Sequence, residues 1–147
     1  MQSYQAHPFD KNSLAMSDHF TLHHVSLFVR DVDASAAFYA DVLGLEELPN
    51  RVGQTHIRWF TIDGFRTVHL IGGDPEAERS RPFSTHLALA TRNFETALTR
   101  LEEHGVTYCS VARQPQDITV RADGIRQIYF QDPDGHWIEI NDANAEP

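Results

Sequence analysis

Four metal-capable residues of this sequence form a candidate ligand set for a divalent ion: His24, His69, His86 and Glu139. Neutral imidazole nitrogens and a carboxylate suit zinc, nickel, cobalt, manganese or iron(II), and the set does not by itself choose among them. Such an ion would polarise a carbonyl and hold two neighbouring oxygens of a substrate. Their spacing singles the four out. With His24 laid over His86, Leu27 falls on Leu89, Arg30 on Arg92, Asp31 on Asn93 and Asp33 on Glu95; after a slip of one residue, Gly44 falls on Gly105. Further on, Trp59-Phe60 with Asp63-Gly64 parallels Tyr129-Phe130 with Asp134-Gly135. Each is followed by a short stretch that holds His69 in the first half and Glu139 in the second. The chain is an internal repeat, and the four residues stand at equivalent places in it. Nine histidines and 21 acidic residues share 147 positions, so four such coincidences come at roughly one in several hundred by chance. Any one of them alone, such as His86, would more often be a hydrogen-bonded core histidine.

The elements that must position them follow from hydrophobic periodicity. From His24 to Arg30, Val25, Leu27 and Val29 alternate with His24, Ser26 and Phe28, the period of a half-buried strand. Asp31 or Asp33 caps a helix through Ala34–Leu43, with Ala37, Phe38 and Val42 on one side, and Gly44 ends it. In the second half a strand over His86–Thr91 precedes a helix capped by Asn93, striped by Phe94, Leu98 and Leu101, and stopped by Gly105. About three more short strands complete each half. The expected fold is α+β: two tandem βαβββ modules, about 21–72 and 83–142, whose mixed sheets form a curved cleft with the helices on the outer face. In every strand the candidate ligand lies on the parity opposite the apolar residues, so all four are expected on the cleft side.

The bulk numbers bound the rest. A chain of 147 residues with 41% hydrophobic content is one domain with a sizeable core. Its net charge of -9 argues against a nucleic-acid surface. No stretch approaches the length of a membrane span. Residues 1–18 are polar with no apolar core of a secretory signal, and read as a loose N-terminal arm ahead of a single domain over 19–147. The one cysteine, Cys109, excludes an internal disulfide and fits a reducing, cytoplasmic setting; it reads as a half-buried strand residue. The segment Val111–Arg126, with Pro115 and Gly124, reads as a flap over the cleft. Phe28, Trp59, Tyr129 and Trp137 are candidate cleft linings, while Phe60 reads as core. Arg58 and Arg126 could meet an acidic substrate group, although strand arginines are more often solvated; Arg126 joins the substrate-binding candidates.

The stretch HHVSLFVRDVDASAAFY, the strand THLALAT and the closing QIYFQDPDGHWIEIND together resemble the vicinal oxygen chelate superfamily, which takes in glyoxalase I, bleomycin-resistance proteins, fosfomycin-resistance thiol transferases, methylmalonyl-CoA epimerase and extradiol dioxygenases. The resemblance covers about Thr21 to Asn141, and the DPDG-x-x-IE ending is its most specific motif. It implies one divalent metal held by His24, His69, His86 and Glu139. It also implies a homodimer in which each site takes its first-module ligands from one chain and the others from its partner. Departures are informative. Glyoxalase I has a glutamate where this chain has His69, an arginine where it has Phe28, and an asparagine where it has Gly73, so glutathione recognition is lost. The two-His, one-Glu pattern of the fosfomycin enzymes is met by His24, His86 and Glu139, without their basic phosphonate-binding residues. Extradiol dioxygenases place the same triad on iron(II), with a tyrosine where this chain has Tyr129.

Three functions therefore stand. The first is a divalent-metal-dependent, glyoxalase-like lyase or isomerase on a small substrate that chelates through vicinal oxygens, with Glu139 as the catalytic group in an enediolate-type proton transfer. The second is an iron(II) extradiol-type dioxygenase. The third is a non-catalytic small-molecule or drug-binding protein of the bleomycin-resistance kind.

Overall fold

The computed structural model describes residues 21–73 and 81–143; the N-terminal arm expected over 1–18 lies outside them. Strand β1 (His24–Val29) leads into helix α1 (Val32–Ala37), which continues as a π-helical turn over Phe38–Val42. Strands β2 (Glu46–Leu48), β3 (Ile57–Thr61) and β4 (Thr67–Gly72) complete the first module. The second repeats the order with β5 (His86–Ala90), α2 (Phe94–Glu103), β6 (Thr119–Val120), β7 (Arg126–Gln131) and β8 (Trp137–Asn141). Each module is an open four-stranded mixed sheet, in the orders β1-β4-β3-β2 and β5-β8-β7-β6. In each, the first strand pairs parallel with the last and the other pairs are antiparallel. The expected α+β fold of two βαβββ modules is therefore the observed one.

Asp31, not Asp33, caps α1: its carboxylate accepts from the backbone N–H groups of Asp33 and Ala34 at 3.0 Å. The helix loosens at Phe38, where Leu43 N–H reaches five residues back to the Phe38 carbonyl, and ends at Gly44 with φ +68°, a left-handed turn that glycine takes without strain.

Val29, Phe60, Val68, Leu70, Ile128 and Ile138 are wholly buried and share one cluster with Tyr39, Phe94, Leu101 and Phe130. One core thus serves both modules. The DPDG turn clasps them: Tyr39 Oη donates to Asp132 at 3.0 Å, Ser35 Oγ donates to Asp134 at 3.0 Å, and the Arg30 guanidinium pairs with Asp134 at 3.0 Å. His136 Nε2 lies 2.7 Å from the Phe28 carbonyl oxygen, linking the turn before β8 to β1. Among the described residues no helix is long and apolar enough to cross a membrane.

Candidate metal centre

Strand pairing places the candidate ligands in two pairs. On the first sheet Ser26, His69 and Trp59 are neighbours across β1, β4 and β3. The His24 and His69 rings stack with centroids 4.2 Å apart and planes 7° from parallel, and Trp59 stacks on the other side of His69 at 5.0 Å. On the second sheet Glu139 lies between Ala88 and Tyr129, and His86 Nε2 is 3.2 Å from Glu139 Oε2. The structure brings His24 to His69 and His86 to Glu139. It does not bring the pairs to each other: among the described residues no three His, Cys, Asp or Glu side chains converge.

The second pair has the chemistry of a half-built metal site. His86 Nδ1 is 3.2 Å from the Phe83 carbonyl oxygen, which can only accept, so Nδ1 carries a proton and Nε2 is the nitrogen turned to Glu139. Nε2 faces a carboxylate oxygen: a proton on it makes an ion pair with Glu139, and a divalent metal would take that proton's place between the same two atoms. Burial alone would raise the Glu139 carboxyl, but hydrogen bonds from Asn141, Tyr129 and Gln127, with the nearby His86 ring, outweigh it and hold Glu139 below the usual carboxylate range. Asn141 Nδ2 donates to Glu139 Oε1 at 2.7 Å. The residues present fit a metal.

The first pair is less simply disposed. His24 Nδ1 is 2.9 Å from His23 Nδ1. His69 Nε2 is hydrogen-bonded to the Thr67 hydroxyl at 3.0 Å. Burial, with the His24 and His23 rings beside it, holds His69 below the ordinary histidine value, so it is a neutral donor at pH 7.

The other candidates divide between the sheet faces. Phe28 lies on the His24 face against Gly73, where an added Cβ would meet its ring; the family asparagine would not fit there without moving Phe28. Tyr129 stands beside Glu139, and burial with the Glu139 hydrogen bond pushes its hydroxyl up to about 12. Trp137 lies one step along β8 from Glu139 and packs edge-on to Phe83 at 4.9 Å. A cavity of about 290 Å³ opens beside His86 and Trp137, with Val25, Leu27 and Leu87 on its wall. Arg126 belongs to the other face: it pairs with Asp142 at 2.8 Å and with Glu95, and stands over the Phe94 ring of α2. Arg58 is taken up by Asp33 and Glu47, and Phe60 is core. Cys109 is half-buried and burial raises its thiol, which makes it a poor nucleophile.

Sequence reading missed Asn141, Gln127, Phe83 and Arg113. The first two had a signal, since Asn141 shares the parity of Glu139 on β8 and Gln127 that of Tyr129 on β7. Phe83 acts partly through a backbone carbonyl and had none. The segment 111–126 is laid down as tight turns and strand β6, bound by Val111 N–H to Thr119 Oγ1 at 2.8 Å and Gln116 N–H to the Tyr108 carbonyl at 2.8 Å.

Known proteins resemble this chain in sequence and fold. The chain is 30% identical over 134 residues to Glyoxylase I 4 of Arabidopsis thaliana, covering 86% of this chain and 73% of that one. It is 30% identical over 122 residues to the metallothiol transferase FosB of Shouchella clausii (strain KSM-K16), covering 82% and 78%. The solved structure of Oxidase ChaP-H1 superposes with a TM-score of 0.68 at 28% identity, over 87% of this chain and 99% of that one. The family model for the Glyoxalase/Bleomycin resistance protein/Dioxygenase superfamily matches residues 21–140. That span holds both modules and all four candidate ligands, and the chain belongs to this superfamily.

Proposed function

We propose that the chain is a divalent-metal-dependent enzyme of the glyoxalase-like lyase or isomerase kind, acting on a small substrate that chelates through two adjacent oxygens. The observation that carries this is the facing pair of metal-ligating atoms, His86 Nε2 and Glu139 Oε2, 3.2 Å apart. His86 and Glu139 would hold the metal on one side, with His24 and His69 as the other pair. When bound, the metal would polarise a carbonyl and stabilise negative charge on the neighbouring oxygen. Glu139 Oε1 is held by Asn141, which leaves Oε2 as the oxygen that can take the proton from the carbon next to the carbonyl. A carboxylate kept below its usual range is a weak base, so Glu139 works as one only when substrate displaces part of its coordination. Trp59, Phe28 and Trp137 flank the two pairs and would exclude water.

A second copy of the chain would complete the site. Each chain offers one two-ligand half on each sheet, and a twofold dimer that faces the first sheet of one copy with the second sheet of the other makes two four-ligand sites.

The His69–Thr67 hydrogen bond favours a second reading. Were His69 held there, the remaining His24, His86 and Glu139 would form the two-His, one-carboxylate set of iron(II) oxygenases, with Tyr129 beside the substrate. Elemental analysis of the purified protein, proton exchange into 2-oxoaldehyde and hydroxyacyl probes, and oxygen uptake with catechols after anaerobic iron loading separate the two. Solvent deuterium at the carbon next to the carbonyl, lost in Glu139→Gln, supports the lyase or isomerase. Oxygen consumption with no such exchange supports the oxygenase, and a protein that holds no metal at neutral pH overturns both.

A further inference from the structure

We propose that Arg113 is a specificity-determining residue that selects substrates carrying a carboxylate and lays their planar apolar part on the wall formed by Phe83 and Trp137. This rests on the metal-site reading for the position of the chelating oxygens. The Arg113 guanidinium lies 4.8 Å from the centroid of Phe83 and 5.6 Å from that of Trp137. Phe83 in turn packs on Tyr129 at 4.8 Å and Trp137 at 4.9 Å, and its carbonyl orients His86. Trp137 and Glu139 share a face of β8, so the Trp137 ring beside the guanidinium stands one strand repeat, about 7 Å, along that face from Glu139.

Two features mark this arginine. Arg30, Arg58, Arg66, Arg121 and Arg126 are each held in an ion pair, whereas among the described residues no carboxylate pairs with Arg113. In a chain of net charge -9, a guanidinium free of carboxylates beside an aromatic wall is a local positive spot in a field that otherwise repels anions. Its backbone is also left-handed, with φ +61°, a region that favours glycine and asparagine over long side chains. The conformation is imposed by the turn, in which Arg113 N–H donates to the Ser110 carbonyl at 2.8 Å and Ser110 N–H to the Gln114 carbonyl at 3.1 Å. Gln116 in the same loop shares this backbone region, with φ +54°, so what distinguishes Arg113 is where its guanidinium sits, over Phe83 and Trp137. A carboxylate would meet that guanidinium through two parallel hydrogen bonds, while the ring of the same molecule packs against the corner formed by Phe83 and Trp137.

The test is calorimetric titration of the zinc-loaded full-length chain with ortho-dihydroxyphenylacetate and with its neutral amide. The two share a ring and vicinal oxygens and differ only in the remote charge. The acid is expected to bind at least about tenfold more tightly. In Arg113→Asn, which suits the left-handed backbone, acid and amide should bind within about twofold of each other, with zinc content and amide affinity kept. Arg113→Lys should restore part of the preference, because the charge returns without the planar fork. A preference that survives Arg113→Asn, or no preference in the parent chain, overturns the proposal. A parallel titration of the metal-free chain with phenylacetate and phenylacetamide keeps the two readings apart. If zinc does not bind but the acid preference is present there and lost in Arg113→Asn, the metal reading fails and the role of Arg113 stands.

Discussion

Glu139 is held by more partners than any other candidate ligand, and its neighbours set how well it can serve. Asn141 is the partner whose loss can be read most directly. Its Nδ2 donates to Glu139 Oε1 at 2.7 Å, and the same residue anchors the backbone of Ala143 at 3.2 Å. Groups that orient a metal-bound carboxylate typically contribute 10- to 100-fold to metal affinity. Asn141→Ala is expected to weaken zinc binding by about tenfold, measured by competition with a chromophoric chelator, while leaving the fold intact by circular dichroism. Unchanged affinity would mean that Glu139 is not bound through a geometry Asn141 maintains. Asn141, Gln127 and Tyr129 were legible only in part from the sequence. Strand parity puts them on one face, but parity does not say that three donors aim at one carboxylate.

At the scale of the elements, the DPDG turn carries two roles. It ends β7, and its carboxylates reach across to the first module. Burial would raise the Asp134 carboxyl, but the Arg30 backbone N–H and guanidinium and the Ser35 hydroxyl outweigh burial and hold it below the ordinary carboxylate value. A carboxyl depressed in the folded state stabilises the fold above its unfolded pKa of about 4, and this contribution disappears as pH falls through the folded value. Asp134→Asn is therefore expected to cost about 1–3 kcal/mol at pH 7. The difference from the parent chain should shrink as pH is lowered from about 5 towards 2, as followed by urea unfolding at each pH. A cost that stays constant with pH would show that shape, not charge, is what the turn supplies. The sequence marks this segment as a turn through its Asp, Pro and Gly residues. That the turn also clasps Arg30, Ser35 and Tyr39, about a hundred residues away along the chain, depends on how the modules dock.

For the whole molecule, the decisive arrangement is the separation of the two ligand pairs onto two sheets. Mixing variants tests whether two chains share each site. His24→Ala damages only the first-sheet half and Glu139→Gln only the second-sheet half. In a randomly reassorted mixture half the dimers are mixed, and each mixed dimer has one site built from two intact halves. Activity, inactive in either variant alone, should return to about a quarter of the parent value. Sites closed within single chains would show no recovery. The aromatic wall at Phe83 and Trp137 and the Arg113 turn then belong to the second-sheet half, beside His86 and Glu139.

The sequence by itself determined the modular repeat, the order of the elements, the residue types able to bind a metal and the face of each strand on which they lie. All of these are local or periodic properties: period-two alternation, caps such as Asp31, glycine at the left-handed Gly44, and correspondence between the two halves. Only the tertiary structure decided which candidates meet. It paired His24 with His69 and His86 with Glu139, tied Arg126 to Asp142 and Glu95, and put Arg113 over Phe83 and Trp137. The physical reason is range. Alternation along a strand is set by neighbouring residues, whereas contacts between β5, β8 and a turn some twenty residues from either are set by sheet order and docking, which no local pattern encodes.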